Sequence, residues 1–370
     1  MWMHGVGGGS MNRWGLSRRS WIAGGCAAIA GARLPSARGE SDGPQLCGQI
    51  GTAHPHADGK FSTMLAQPAD WRVVGWAEEN ERQRVAAAGR KPYAAVPAMT
   101  EQELLGTPGL VAVTVETELA AATATALRVL QAGKHVHLDK PGGVEHAAFA
   151  TMRRLAEASG LTLQMGYMLR YNPAFELLFR AVREGWLGAI TEIDASMGKL
   201  ADVGTRRQIV VQPGGGMFEI GCHLIDVVVT LLGRPSRVET FSTPSAEDGV
   251  MDNQLAVLVY PGATAVVRAN FVDPFGGPRR RFNVTGTLGS FEILPLESGR
   301  VQLSLQRDGG GYPRGTQTLQ LELPGGRYDG EFADLARVVR GEKRLAWDAA
   351  HDIAVHETAL RASGIWEAGS

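Results

Sequence analysis

Lys140, Glu219 and His223 are the residues of this sequence whose types and placement could move a proton at an oxygen. Neutral imidazole takes up a proton at about pH 6.5, so His223 is a candidate base. An ammonium stabilises negative charge developing on oxygen, so Lys140 is a candidate for holding an alkoxide. Glu219 would orient the two or relay between them. It precedes His223 by four positions, so on a helix they share one face, and Asp226 continues the stripe. Each residue also has a plainer reading. Lys140 could be a surface lysine in a turn, Glu219 a first-turn acid favoured by the helix dipole, and His223 a core histidine.

Lys140 lies in the segment Gly133 to Gly143, GKHVHLDKPGG. A helical stretch over 118–132 runs into Gly133, which can take the left-handed conformation that ends a helix. A short strand, 135–138, then stops at Asp139-Lys140-Pro141. The carboxyl end of such a strand is where open α/β sheets bind ligands. Pro141 biases Lys140 toward an extended conformation. AGKHVHLDKP resembles the AGKHVxxEKP segment of the glucose–fructose oxidoreductase / inositol dehydrogenase (Gfo/Idh/MocA) family, with Asp139 in place of Glu. GYMLRYNP at 166–173, GGGMFEIGCHLID at 214–226 and RRRFNVTGTLGSFEI at 279–293 resemble it further, in order, over roughly residues 45 to 365.

The resemblance implies two domains. The first, 45–165, is a Rossmann dinucleotide-binding domain, and its alternating strands and helices imply a parallel sheet with right-handed crossovers. The strand at 45–50 ends in Gly51-Thr52-Ala53-His54-Pro55-His56. In the Rossmann fingerprint, glycines let backbone amides approach a pyrophosphate at a helix N-terminus. Gly51 fills the first position, Ala53 replaces the second glycine and His56 the third. His54 and His56 read either as helix-start residues or as groups facing the cofactor or substrate cleft. Glu78, after the strand at 71–76, stands where an acid binds the adenosine ribose hydroxyls, which favours NAD over NADP. Arg82 and Arg84 lie nearby and could reverse that preference. After the strand at 110–115 the chain reads Glu116-Thr117-Glu118, where relatives carry a Thr-Pro-Asn type of turn; Thr117 is left as the candidate hydroxyl. Asp139, Lys140 and Pro141 complete the expected cofactor contacts, and the last strand of this half is 161–165.

The second domain, 166–340, is expected to bind substrate and to oligomerise. The resemblance places Arg170 and Asn172 in the cleft against polyol hydroxyls, with an interdomain salt bridge as the alternative for Arg170. Glu219 and His223 stand where the family carries a D-x-G-x-H catalytic pair, Glu219 reaching one methylene further than Asp. Strands at 190–198, 236–243, 253–260, 263–271, 280–285, 290–294, 300–306 and 316–322 predict one large, mainly antiparallel sheet, as in the alternation of Val301, Leu303 and Leu305. Helices at 329–340 and 347–362 follow, and the last part of the chain, 341–370, is expected to return to the first domain. The fold class is therefore α/β: a Rossmann domain plus an α+β domain.

The function implied is nicotinamide-dependent hydride transfer to or from a secondary alcohol carbon of a sugar or polyol. Three other activities fit the same family or fold: an NAD-dependent glycosidase, a one-step epimerase or dehydratase on a sugar acid, and a non-catalytic carbohydrate-binding protein. A homo-oligomer, dimer or tetramer, is expected.

The 370 residues suit two domains rather than one core. The 37 basic and 38 acidic residues form no basic block, so no nucleic-acid partner is expected. No run of about 20 uncharged apolar residues suggests a membrane span. Ser17-Arg18-Arg19-Ser20-Trp21-Ile22, followed by an Ala/Gly-rich segment at 23–32, reads as a twin-arginine signal over 1–40. A disordered tail and a lipoprotein acylated at Cys26 are the alternatives. Export implies a periplasmic protein, a partnership with the twin-arginine machinery, and a cofactor loaded before export and retained through turnover. Cys47 and Cys222 predict no disulfide framework. No metal is expected: His54 and His56 are too close for a helical pair, and no Cys-x-x-Cys or His-x-x-x-His occurs. His351 and His356 on the last helix are expected to be solvated.

Overall fold

The structure, a computed structural model, describes residues 43–210 and 212–366. The twin-arginine segment and Cys26 lie outside the described residues.

Six short strands form the first sheet: β1 (Gln45–Ile50), β2 (Trp71–Ala77), β3 (Ala98–Met99), β4 (Leu110–Val115), β5 (His135–Leu138) and β6 (Leu163–Met165). Their order is β3-β2-β1-β4-β5-β6, all neighbours parallel, which is the Rossmann arrangement. β1 and β4 adjoin at the topological switch point, so a crevice must open outside their carboxyl ends. Local chemistry sets the helix ends. Asn80 caps Glu81–Ala88 by accepting from the amides of Arg82 and Gln83. Thr100 and Glu103 form a reciprocal capping box at Glu101–Leu105. Gly133, at φ +75°, ends the helix Leu119–Gln131, and the amides of Gly133 and Lys134 return to the carbonyls of Leu130 and Val129.

Eight strands form the second sheet: β7 (Ile190–Gly198), β8 (Arg237–Pro244), β9 (Met251–Val259), β10 (Thr264–Asn270), β11 (Arg281–Gly286), β12 (Gly289–Ile293), β13 (Arg300–Leu305) and β14 (Gly315–Gln320). The order is β14-β13-β12-β11-β7-β10-β9-β8, antiparallel except for the parallel pair β7–β10. Period-two alternation buries Ile193, Ala195, Val267, Phe282, Phe291 and Leu303 on one face. The helix Cys222–Leu232 is apolar on nearly every side and buried along most of its length, as a helix packed between layers must be. The helix Ala349–Ala362 packs against it and against His146–Ala158 of the first half, so the end of the chain does return to the Rossmann segment.

Two local features escape pattern reading. A helix at Val203–Val210 interrupts what reads as loop. Met217–Gly221 is a π-turn feeding the helix Cys222–Leu232, which offsets the simple four-residue stripe expected of Glu219 and His223. His356 is 1 % exposed, stacked on Phe149 at 4.1 Å with its Nε2 2.9 Å from the Gly143 carbonyl, so the solvated reading is wrong. His351 is half-buried against Thr230. Cys47 and Cys222 are free and buried. Among the described residues no helix is long and apolar enough to cross a membrane.

Candidate active site

Lys140 is brought to the end of β5 and buried, 2 % exposed. Its Nζ donates to the Glu219 carbonyl at 2.8 Å and lies 3.0 Å from Glu219 Oε1. The sequence-distant pair Lys140 and Glu219 therefore does meet. Burial alone would lower the Lys140 pKa, but Glu219, the Cys222 thiol and Asp139 outweigh it and raise it. Burial likewise pushes Glu219 up, and Lys140 and His54 more than reverse this, so its carboxylate stays ionised below the usual range. The ammonium stays charged and aimed, the state needed to stabilise an alkoxide.

These groups line a cleft of about 160 Å³, together with Asp139, Thr117, Lys199, Thr205 and Gln212. Lys199 was not anticipated; it is half-buried and its pKa is lowered, first by burial. The wall carrying Thr205 comes from the helix that the pattern missed. His223 does not line this cleft. It is 3 % exposed, edge-on to Tyr167 at 5.9 Å, with Nδ1 unpartnered. Burial, then Lys140 and His56, hold its pKa well below the ordinary value, so the imidazole is neutral.

A second trough continues from the cleft through Thr117, which lines both, to Gly51, Ala53 and Glu78. Gly51 has φ +90°, and a Cβ there would sit 2.5 Å from the Thr117 amide nitrogen. Only glycine lets the turn after β1 hug the turn after β4 and leave this passage open. The Glu78 carboxylate accepts from the Thr52 amide (2.8 Å), the Thr52 hydroxyl (2.9 Å) and the Asn80 amide (3.0 Å). A carboxylate has about four acceptor positions, so one remains for a ribose hydroxyl. The amides of Thr52, His54 and His56 are donated within the protein, to Glu78, the Glu116 carbonyl and His54 Nδ1. The trough offers a dinucleotide the Glu78 carboxylate, with fewer free amides at its phosphate turn than the glycine fingerprint supplies.

Beneath the cleft lies a buried polar cluster that the sequence did not announce. Asp139 Oδ2 is 2.8 Å from His54 Nδ1 and 2.9 Å from His56 Nδ1, and Asp139 Oδ1 is 3.1 Å from Lys60 Nζ. Lys60 is fully buried and also faces Glu116 (3.4 Å), Glu331 (3.7 Å) and His137 (2.9 Å). Burial pushes Asp139 up, but His54, Lys60 and His56 hold it well below the usual carboxylate range. Burial, then Asp139, push Glu116 well above that range. Burial lowers His56 to about 4, against the pull of Asp139. One cue to Lys60 was available, a lysine four places after His56 among apolar neighbours. Glu116 and Glu331 gave none.

Two expected substrate contacts are corrected. Arg170 is 1 % exposed, with Nε 3.0 Å from Asp226 and Nη2 2.6 Å from Asp226 and 2.7 Å from Asp352. Tyr167 and Trp347 cover its faces at 4.9 and 4.6 Å. It is an internal strut, and Asp226 belongs to it rather than to a catalytic stripe. Asn172 caps the helix Pro173–Arg183 by accepting from the Ala174 amide at 2.9 Å. It lines a different cavity, with Met168, Glu297 and Arg327.

Residues 175–292 match the GFO/IDH/MocA C-terminal domain. The trans-1,2-dihydrobenzene-1,2-diol dehydrogenase of Bos taurus is 29 % identical over 174 residues, 46 % of this chain and 51 % of that protein. The D-xylose 1-dehydrogenase (NADP(+)) 2 of Haloferax volcanii is 29 % identical over 167 residues, 44 % of this chain and 50 % of that protein. The chain thus spans about half the length of the curated relatives it matches. A levoglucosan dehydrogenase solved with NADH and levoglucosan superposes with a TM-score of 0.75 at 18 % identity, over 87 % of this chain and 97 % of that one. It establishes the fold. The matched C-terminal segment and the oxidoreductase relatives together support the Gfo/Idh/MocA family for this chain.

Proposed function

We propose that the protein is an oxidoreductase that transfers hydride between a nicotinamide dinucleotide and a secondary alcohol carbon of a sugar or polyol. The observation that carries this reading is the buried Lys140 ammonium, fixed on Glu219 at the floor of a cleft that continues through Thr117 to Glu78. The names of the relatives supply the substrate class and the cofactor class. The nicotinamide, when bound, accepts or gives the hydride.

The chain's own residues do the rest. Glu78 would take a ribose hydroxyl and Thr117 would border the passage between the two troughs. Lys140 would donate to the substrate oxygen and hold the charge it acquires. Glu219 aims that ammonium. The hydroxyl proton needs an acceptor, and of the two candidates the Glu219 carboxylate lines the cleft while the buried imidazole of His223 does not. We assign it to Glu219, since the pKa of His223 is itself held well below the ordinary value. Glu78 favours NAD, since a carboxylate repels a 2′-phosphate. Export by the twin-arginine route and assembly into a homo-oligomer remain part of this proposal.

The test is turnover and cofactor binding in the Lys140→Met, Glu219→Gln and His223→Ala proteins. Lys140→Met should lower kcat by about 10²–10³-fold while NADH still binds. Glu219→Gln should lower kcat by about 10²- to 10⁴-fold, the usual contribution of a general base. His223→Ala should cost less, because the imidazole does not line the cleft. Unchanged turnover in Lys140→Met would remove the assignment. Release of an aglycone with no net change in bound NAD would replace it with the glycosidase activity.

A further inference from the structure

We infer that His54, His56 and Asp139 form a binding site for one divalent transition cation of the zinc class, with Glu116 as a fourth ligand. The two imidazoles leave the turn after β1 on either side of Pro55. Their Nδ1 atoms converge on one oxygen of Asp139, at 2.8 and 2.9 Å. The three ligand atoms lie within 4.8 Å of one another. Asp139 comes from 83 residues further along the chain than His56, so no local spacing rule reveals the site.

Glu116 is the independent observation. It is completely buried, and neither carboxylate oxygen has a hydrogen-bond donor. Its Oε2 is 3.5 Å from His54 Nδ1. The two carboxylates are oriented alike. Each turns one oxygen to Lys60, Asp139 Oδ1 at 3.1 Å and Glu116 Oε1 at 3.4 Å. Each leaves its other oxygen toward the imidazoles. That is how an outer-shell cation orients carboxylate ligands. Two carboxylates this close need a positive centre between them or a shared proton, and Lys60 meets that need at Asp139 Oδ1 and Glu116 Oε1, leaving Oδ2 and Oε2 facing the imidazoles. Imidazole nitrogen with carboxylate oxygen is the donor set of zinc and its neighbours, not of magnesium or calcium.

Bonds of about 2.0–2.2 Å place tetrahedral ligand atoms about 3.3 Å apart, so the site must open by roughly half an ångström to admit the ion. His54, His56 and Asp139 also line the cleft that holds Lys140 and Glu219. A coordination position left open there would face a substrate oxygen, and the ion would act on it as a Lewis acid. The departure of His56 from the third glycine of the fingerprint then has a chemical reason.

The test uses the full chain, stripped with a chelator and titrated with Co²⁺ and then Zn²⁺. One Co²⁺ per chain with visible d–d absorption, displaced by one Zn²⁺, is expected. His54→Ala and His56→Ala should each weaken Zn²⁺ binding at least tenfold. For variants that fail to fold, an anomalous difference map at the zinc edge on the wild-type protein replaces them. A peak between His54, His56 and Asp139 supports the site. The absence of saturable binding, or binding equally tight in both histidine variants, overturns it in favour of a shared proton. Lys140→Met should still bind Zn²⁺, so the hydride-transfer reading and the metal site fail separately.

Discussion

Two buried sets of ion pairs join distant parts of this chain, and they differ in one respect. Lys140 meets Glu219 beside a cleft, where the Glu219 side chain keeps 19 % of its surface exposed. Arg170 meets Asp226 and Asp352 with all three side chains at 0 % and an aromatic ring on either face. The first cation has one carboxylate partner and an approach from solvent. The second has two and no approach at all. A buried charge in a ligand cleft can answer a new charge, whereas a buried charge closed on every side can only hold the fold. Sequence resemblance had placed both cations in the cleft.

The sharpest way to break this distinction is to neutralise each cation. Arg170→Met leaves Asp226 and Asp352 buried without their counter-ion, and breaking such a pair costs about 3–5 kcal/mol. Urea unfolding should show that loss, with cofactor affinity unchanged in whatever protein remains folded. A stable Arg170→Met protein with impaired substrate KM would return Arg170 to the cleft. Lys140→Met should do the reverse. Loss of one oxyanion donor lowers kcat by about 10²–10³-fold. Its unfolding midpoint should move less than that of Arg170→Met, because Glu219 can hydrate through the cleft.

The C-terminal helix offers a milder probe, since it packs against both halves. His356 is neutral in the fold: burial lowers its pKa from 6.5 to about 4, against the Gly143 carbonyl that accepts its N–H. The unfolded chain therefore binds a proton that the folded chain refuses between pH 6.5 and about 4. Its contribution is complete above pH 6.5 and is lost as pH falls toward 4, amounting to about 3 kcal/mol. His356→Phe, which can keep the stack on Phe149, should flatten the stability profile in that window. An unaltered slope between pH 6.5 and 4 would show that the imidazole is free to protonate.

How legible these regions were follows the range of the interactions that make them. The parallel first sheet, the large, mainly antiparallel second sheet and the end of β5 could be read because their signals are local: alternating strands and helices, period-two alternation, Gly133, and Lys140 before Pro141. Ordered motifs singled out Lys140, Glu219 and His223 as one group; Lys140 pairs with Glu219, and His223 does not line their cleft. Arg170 was misplaced because its partners, Asp226 and Asp352, lie 56 and 182 positions away. Asn172 was misplaced because a helix cap and a sugar ligand use the same amide oxygen. The convergence of His54 and His56 was dismissed on helical spacing, yet Asp139 arrives from a different strand. The helix Val203–Val210 carries little apolar periodicity, and with it the wall containing Thr205 went unseen.

Asp352 supplies the finest test, because it holds the closed cluster from the same helix as His356. Burial pushes its carboxyl up, but Arg170 and then Arg153 bring it down from 3.8 to about 2. Arg153 Nε is 2.9 Å from Asp352 Oδ2, the oxygen turned away from Arg170. A depressed acid stabilises the fold fully above pH 3.8 and loses that contribution as pH falls through about 2, amounting to about 2 kcal/mol. Other carboxylates titrate in the same range, so the wild-type slope alone proves little. The difference between wild type and Arg153→Gln isolates the group. Removing one of two cations should raise the Asp352 pKa toward 3.8, narrow the window and shrink the acid loss. Equal slopes in the two proteins between pH 4 and 2 would mean that Arg170 alone governs Asp352. The closed cluster would then be a single strut, no more redundant than the Lys140 pair.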